Sequence, residues 1–246
     1  MLILILAGTG TALATGLGAV PVFLMGEDRA ESLRPALLGF AAGVMAVASI
    51  VGLLLPGIDE GSAGSVGAGL VAGGAFLLVT RRVLRSRHPH VGRLRGASVR
   101  TSVLVFAVLF VHSLPEGFAI GTAYASDTAG LSLFVILAIA IQNIPEGTSV
   151  AVPMQRAGFT PQQQFWAAVG TSAPQPIGAV VAFLAVEQVQ SLLPVSFGFA
   201  AGAMLALVVA EVMPDAVRGG GWGQALAGVA IGAAVMIALS TALGIG

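Results

Sequence analysis

His112-Ser113-Leu114-Pro115-Glu116-Gly117 and Gln142-Asn143-Ile144-Pro145-Glu146-Gly147 are two versions of one phrase, each set in the middle of a long apolar run. An ionised carboxylate at the centre of a membrane helix costs roughly 2.5–3.5 kcal/mol on insertion scales, so such residues are rare and mark function. In each copy a metal-capable side chain, His112 or Gln142, stands four residues before the glutamate. That spacing puts the two on one helix face, a turn apart. Pro115 and Pro145 each remove a helix hydrogen bond, which frees the carbonyls of Val111 and Ile141 and bends the helix. Interrupted backbone at that depth is tolerated where it lines a polar cavity, and the glycine after each glutamate is expected to leave room there. Two such helices, antiparallel and face to face, would offer a divalent cation one imidazole nitrogen, one amide oxygen and two carboxylates. The two negative charges would balance the ion, and the ion would offset the cost of holding them in lipid.

The surrounding composition sets this phrase in a membrane. Hydrophobic residues make up 57% of the 246-residue chain and charged residues 9%, against about 25% charged in an ordinary soluble domain. Apolar runs of 18 or more residues read as transmembrane helices. Eight are present, at about 1–24, 34–56, 63–84, 101–124, 130–154, 163–186, 193–213 and 222–244. The expected architecture is therefore an all-α membrane protein, with 1–246 a single integral membrane domain. The first run lacks a basic n-region and stays apolar past Val22, so it reads as a helix and not as a cleaved signal.

Sidedness follows from the charges. All eleven basic residues are arginines, at 29, 34, 81, 82, 85, 87, 93, 95, 100, 156 and 218, and all lie in or beside loops one, three, five and seven. The even loops hold Asp59, Glu60, Asp127 and Glu187 and no basic residue. Positive charge stays on the cytoplasmic side, so the Arg-rich loops are expected in the cytoplasm and both termini outside, in a multi-pass protein of the cell membrane. The chain has no cysteine, which excludes a disulfide framework and a thiolate site.

The chain also repeats itself. Leu38-Gly39-Phe40-Ala41-Ala42-Gly43-Val44-Met45 returns 159 residues later as Phe197-Gly198-Phe199-Ala200-Ala201-Gly202-Ala203-Met204. Leu17-Gly18-Ala19-Val20-Pro21-Val22-Phe23 returns, more weakly, 160 residues later as Ile177-Gly178-Ala179-Val180-Val181-Ala182-Phe183. Spans four and five repeat at an offset of 30. With the topology above, every repeated pair is antiparallel. This gives a 3+2+3 inverted-repeat plan, an arrangement typical of secondary transporters with a substrate site near the midplane. Glycines four apart, at Gly39/Gly43, Gly69/Gly73, Gly198/Gly202 and Gly228/Gly232, are expected to let helices of the bundle pack closely.

Mixed nitrogen and oxygen donors without thiolate suit Zn2+, Cd2+, Mn2+ or Fe2+ better than Mg2+ or Ca2+, and the imidazole favours zinc. The ion is expected as transported substrate, with no further cofactor. Gln175, between Pro174 and Pro176 in span six, reads as part of a broken stretch reaching the same cavity. Glu211, with Asp215 beyond it, reads either as an exit-side acidic station or as an interfacial anchor. Asp59, Glu60 and Asp127 could draw cations to the outer mouth or simply solvate their loops. His88 and His90 could hold metal transiently but fit a solvated loop equally well, and the arginines from 81 to 100 are accounted for by topology.

These features resemble the ZIP family of divalent metal transporters, in particular its bacterial GufA-like branch. The resemblance covers the whole chain. It rests on the two Pro-Glu-Gly phrases, the Gly39-Phe40-Ala41-Ala42-Gly43 phrase and Ala210-Glu211-Val212-Met213-Pro214. It implies a homodimer, with no nucleic-acid partner, that moves Zn2+ and related ions into the cytoplasm through a site of His112, Glu116, Gln142 and Glu146. Elevator-like movement of spans one, four, five and six against two, three, seven and eight is implied as well. Family members also hold a second, adjacent ion position that shares both glutamates and adds the residues at Ser113, Asn143 and Gln175. The family commonly has Asn, Asp and Glu at those three places, so here the position is uncharged and expected to be weak or absent. The histidine often found before the span-seven glutamate is Ala210, which weakens the case for an exit site. Metal ligands must be deprotonated, so acid is expected to loosen binding. An ion channel using the same ligands, an intramembrane metalloenzyme and a metal sensor are the competing readings. The enzyme lacks a HExxH phrase and the sensor an output domain.

Overall fold

The structure, a computed structural model, describes residues 1–86, 97–218 and 221–245. His88 and His90 lie outside the described residues. All regular structure among those described is helical, because in lipid a backbone must satisfy its own hydrogen bonds. Eight helical stretches are long and apolar enough to cross a membrane: Leu2–Met25, Asp28–Asp59, Ala63–Leu84, Val105–Ala125, Leu131–Arg156, Pro161–Gln188, Gln190–Val217 and Trp222–Ala242. These are spans one to eight. Spans two and seven exceed the apolar runs read from sequence, because their helices continue through polar turns holding Asp28, Glu31 and Asp215 that hydropathy alone excludes.

The irregularities come in matched pairs. Span one divides into Leu2–Leu17 and Val20–Met25, and span six into Pro161–Thr171 and Pro174–Gln188. Thr160 and Gln163 close a capping box at the start of span six. Spans two and seven each widen into one π-helical turn, Ile50–Leu54 and Val208–Val212. Pro56 and Pro214 follow directly. A proline ring clashes with the carbonyl four residues back, and a wider turn moves that carbonyl aside.

Glycines set the helix pairing. A side chain on Gly39 or Gly43 would strike the backbone of span eight, and one on Gly228 or Gly232 would strike span two. Gly69 and Gly73 meet span seven in the same way, and Gly198 and Gly202 meet span three. Gly18 and Gly147 bring spans one and five together; Gly117, Gly121 and Gly178 do so for spans four and six. These glycine approaches link spans one, four, five and six to one another, and spans two, three, seven and eight likewise. Between the two sets, Phe118 of span four stands edge-on to Phe199 of span seven at 5.2 Å between ring centres.

The polar ends are distinct. Arg34 to Asp215 at 3.8 Å, Arg218 to Asp215 at 2.7 Å and Arg81 to Glu211 at 3.4 Å gather arginines of three loops at one end of the bundle. At the other end Ser126 Oγ donates to Glu60 Oε1 at 2.8 Å.

Candidate metal centre

Span four carries His112 and Glu116 on one face, and span five carries Gln142 and Glu146. Both helices run on unbroken through Pro115 and Pro145. All four side chains are buried, at 3%, 1%, 0% and 5% exposure respectively. Gln142 Nε2 donates to Glu116 Oε1 at 2.7 Å, so the two copies of the phrase do meet across the helix pair. Glu146 lies close enough to feel the charges of Glu116 and Glu211.

The glycines of the two phrases serve a purpose other than the one expected. They do not widen a cavity. A Cβ on Gly117 would stand 2.7 Å from Gln175 Cα, and one on Gly147 would stand 2.9 Å from the carbonyl carbon of Thr15. Each glycine lets span six or span one lie directly against the phrase, and this brings Gln175 into the site. Gln175 Nε2 donates to Glu116 Oε2 at 2.7 Å, so Glu116 accepts an amide hydrogen on each oxygen. Asn143 Nδ2 donates to the Thr11 carbonyl at 2.8 Å and reaches Gln175 Oε1 at 3.3 Å. Ser113 is buried, but its hydroxyl donates to the Leu109 carbonyl on its own helix at 3.0 Å.

Below this layer, towards the arginine-bearing end, a cavity of about 400 Å³ is lined by His112, Glu146, Ser149 and Glu211, and farther out by Arg34 and Asp215. Glu211 Oε2 lies 3.6 Å from His112 Nε2 and 3.4 Å from Arg81 Nε. Glu211 therefore borders the central site itself, while Asp215 sits at the mouth. The opposite halves of spans four and five are packed solid, with Ala119, Ile120, Ala123, Leu131, Phe134, Val135, Ala138 and Ile139 all buried. The described cavity leads from the site to the arginine-bearing end.

The donor chemistry fits a cation. His112 Nδ1, Gln142 Oε1, Asn143 Oδ1 and Glu146 Oε1 are buried without a hydrogen-bond partner. A buried polar atom left unpaired costs about 1–3 kcal/mol, and an imidazole nitrogen and two amide oxygens beside two carboxyl groups are what a divalent ion would satisfy. Among the described residues no three His, Cys, Asp or Glu side chains form a metal-holding group by themselves. The constellation here depends on amides as well.

Two neighbours escaped the sequence reading. Arg81 was accounted for by topology alone, and an arginine at the end of an apolar span bears no further mark. Thr11, whose hydroxyl reaches Gln175 Oε1 at 2.7 Å, could have been noticed from its spacing. It and Thr15 stand four apart on one face of a helix whose one other polar side chain is Thr9.

Residues 80–240 match the family described as ZIP Zinc transporter. Over 251 residues the chain is 33% identical to zinc transporter GufA of Myxococcus xanthus, covering 98% of this chain and 97% of that protein. It is 35% identical over 253 residues to zinc transporter ZIPB of Bordetella bronchiseptica, covering 98% and 81%. A longer protein of Arabidopsis thaliana is 39% identical over 233 residues; these make up 94% of this chain, which spans only 37% of the plant protein's length. With eight apolar spans and a family match over most of its length, this chain belongs to the ZIP family of zinc transporters.

Proposed function

We propose that the chain carries Zn2+, with Cd2+, Mn2+ and Fe2+ as further substrates, across the membrane into the cytoplasm by way of His112, Glu116, Gln142 and Glu146. One observation supports this above the others: His112 and Glu146, buried at the midpoints of facing helices, border a cavity that leads to the arginine-bearing end. A carrier caught open to one side has this form, whereas a conducting channel needs a continuous path. The ZIP family is one of transporters and not of enzymes.

Elevator-type alternating access fits the packing. Spans one, four, five and six interlock through glycine-to-backbone contacts, as do two, three, seven and eight. Such contacts resist sliding because backbone cannot rotate out of the way. Across the boundary between the sets, side chain meets side chain in contacts such as Phe118 on Phe199. Rigid movement of one set against the other would close the present cavity and open one at the far end. Glu211 and Asp215 line the way out, and Arg81 offsets the charge of Glu211 there.

Uptake of radioactive zinc into proteoliposomes tests the reading. Saturable uptake at carrier-like turnover is expected. Ion flux that stays linear with concentration at channel-like rates would overturn the carrier mechanism, and no uptake of zinc, cadmium or manganese would overturn transport itself.

One ion per protomer is the expected stoichiometry. Glu116 and Glu146 balance a single divalent charge, the Gln175 carbonyl is occupied by Thr11 and Asn143, and the Ser113 hydroxyl is turned to its own helix. A second ion would add two positive charges with no further carboxylate, a large cost where the dielectric constant is low. Equilibrium dialysis against cadmium measures this, and two comparably tight ions would contradict it.

A further inference from the structure

Thr11 belongs to the first span, far in sequence from either Pro-Glu-Gly phrase, and is 1% exposed. Its hydroxyl donates to Gln175 Oε1 at 2.7 Å. The Gly8 carbonyl is a second acceptor in reach at 2.9 Å, but that carbonyl already takes a backbone N–H within the helix. Gln175 Oε1 otherwise has only the longer bond from Asn143 at 3.3 Å. With donors on its oxygen, the Gln175 amide is held in one orientation, its NH2 aimed at Glu116 Oε2 at 2.7 Å. Turning the amide over would set NH2 against the Asn143 amide hydrogens and a carbonyl against a carboxylate, and only the Thr11 hydroxyl could adapt, by donating to the Gly8 carbonyl instead.

The backbone around these residues leaves little room for another arrangement. A Cβ on Gly8 would stand 2.7 Å from Pro176 Cα, and one on Gly117 would stand 2.7 Å from Gln175 Cα. One turn along the same helix faces, Thr15 and Ser172 share a hydrogen bond of 2.6 Å. Spans one, four and six are thereby locked at the level of Glu116.

We propose that Thr11 is a positioning residue of the metal centre: acting through Gln175, it fixes the direction in which the Glu116 carboxylate faces the ion. The proposal rests on the reading of Glu116 as a ligand. Partners that orient metal ligands typically contribute 10–100-fold to affinity. The chain Thr11–Gln175–Glu116 also couples span one to the ion through span six, so that spans one, four and six sense binding as well as span five.

Calorimetric titration of the purified, folded protein with cadmium tests it, using Thr11→Val, Thr11→Ser, Gln175→Leu and the Thr11→Val/Gln175→Leu double variant. Thr11→Val is expected to weaken binding by about tenfold, and Thr11→Ser, which keeps the hydroxyl, to stay within about threefold of wild type. Because Thr11 works through Gln175, Thr11→Val is expected to add nothing on top of Gln175→Leu. Wild-type affinity in folded Thr11→Val, or full additivity in the double variant, would overturn the proposal and leave the metal centre standing. Failure of the wild-type protein to bind cadmium would overturn the metal centre and this proposal together.

Discussion

Replacing Glu116 and Glu146 together by glutamine is expected to abolish zinc uptake and high-affinity metal binding while leaving the ligand-free protein at least as stable as before. Removing one partner of a buried charge pair costs about 3–5 kcal/mol, and each 1.4 kcal/mol is tenfold in affinity. Each single substitution should therefore weaken binding by about a hundredfold or more, and the double variant should show no binding. Stability is expected to move the other way because two carboxyl groups buried without an ion lose their hydration, a loss that is smaller for amides. Glutamine at 116 is readily accommodated: its carbonyl takes the Gln175 hydrogen, and Gln142, whose Oε1 is unpartnered, turns over to accept from the new amide. Thermal unfolding in chelator, together with uptake of radioactive zinc, separates the two effects. Uptake near the wild-type level in the double variant would remove these residues from the ion path.

The second large effect is expected from glycine. Gly147→Ala puts a methyl group 2.9 Å from the carbonyl carbon of Thr15 and 3.1 Å from Gly18 Cα, and Gly117→Ala puts one 2.7 Å from Gln175 Cα. These obstacles are backbone, so whole helices must separate to admit one carbon. Overpacking typically costs about 1–3 kcal/mol and occasionally more; the upper part of that range is expected here. Uptake should fall by more than about tenfold, because parting spans four and six also draws Gln175 away from Glu116. Gly10 and Gly67 supply the controls, since nothing lies within 4 Å of a Cβ at either. Alanine there should be neutral or stabilising, as alanine is the better helix former by about 1 kcal/mol. Equal unfolding midpoints for Gly147→Ala and Gly10→Ala would show that the close approach has no energetic weight.

Much of this protein is legible in one dimension because lipid imposes one-dimensional rules. A helix that crosses a membrane must be a run of apolar residues of known length, so eight spans can be counted without knowing how they pack. Charged residues within such runs stand out for the same reason, and Glu116 and Glu146 are visible before any fold is. The spacing of His112 from Glu116 and of Gln142 from Glu146 already puts each pair on one helix face, since helical periodicity is local.

What tertiary structure decided is which helices touch, and that depends on shape complementarity between distant segments. Apolar composition is the same on every face of these spans, so hydropathy cannot say that span one lies against span five or span six against span four. Glycine position does, but only once the partner backbone is known. Gly117 and Gly147 were expected to open space and instead close it, bringing Gln175 and Thr15 against the two phrases. The same packing turns Thr11 from an inconspicuous helical residue into a hydrogen-bond donor to Gln175, and brings Arg81 and Glu211 beside His112. The residue types proposed to bind an ion, and their places at the middle of apolar runs, were determined by sequence alone. How the amides are oriented around them, and to which end of the bundle their cavity leads, were decided by contacts between different helices, from 26 to 164 positions apart in the chain.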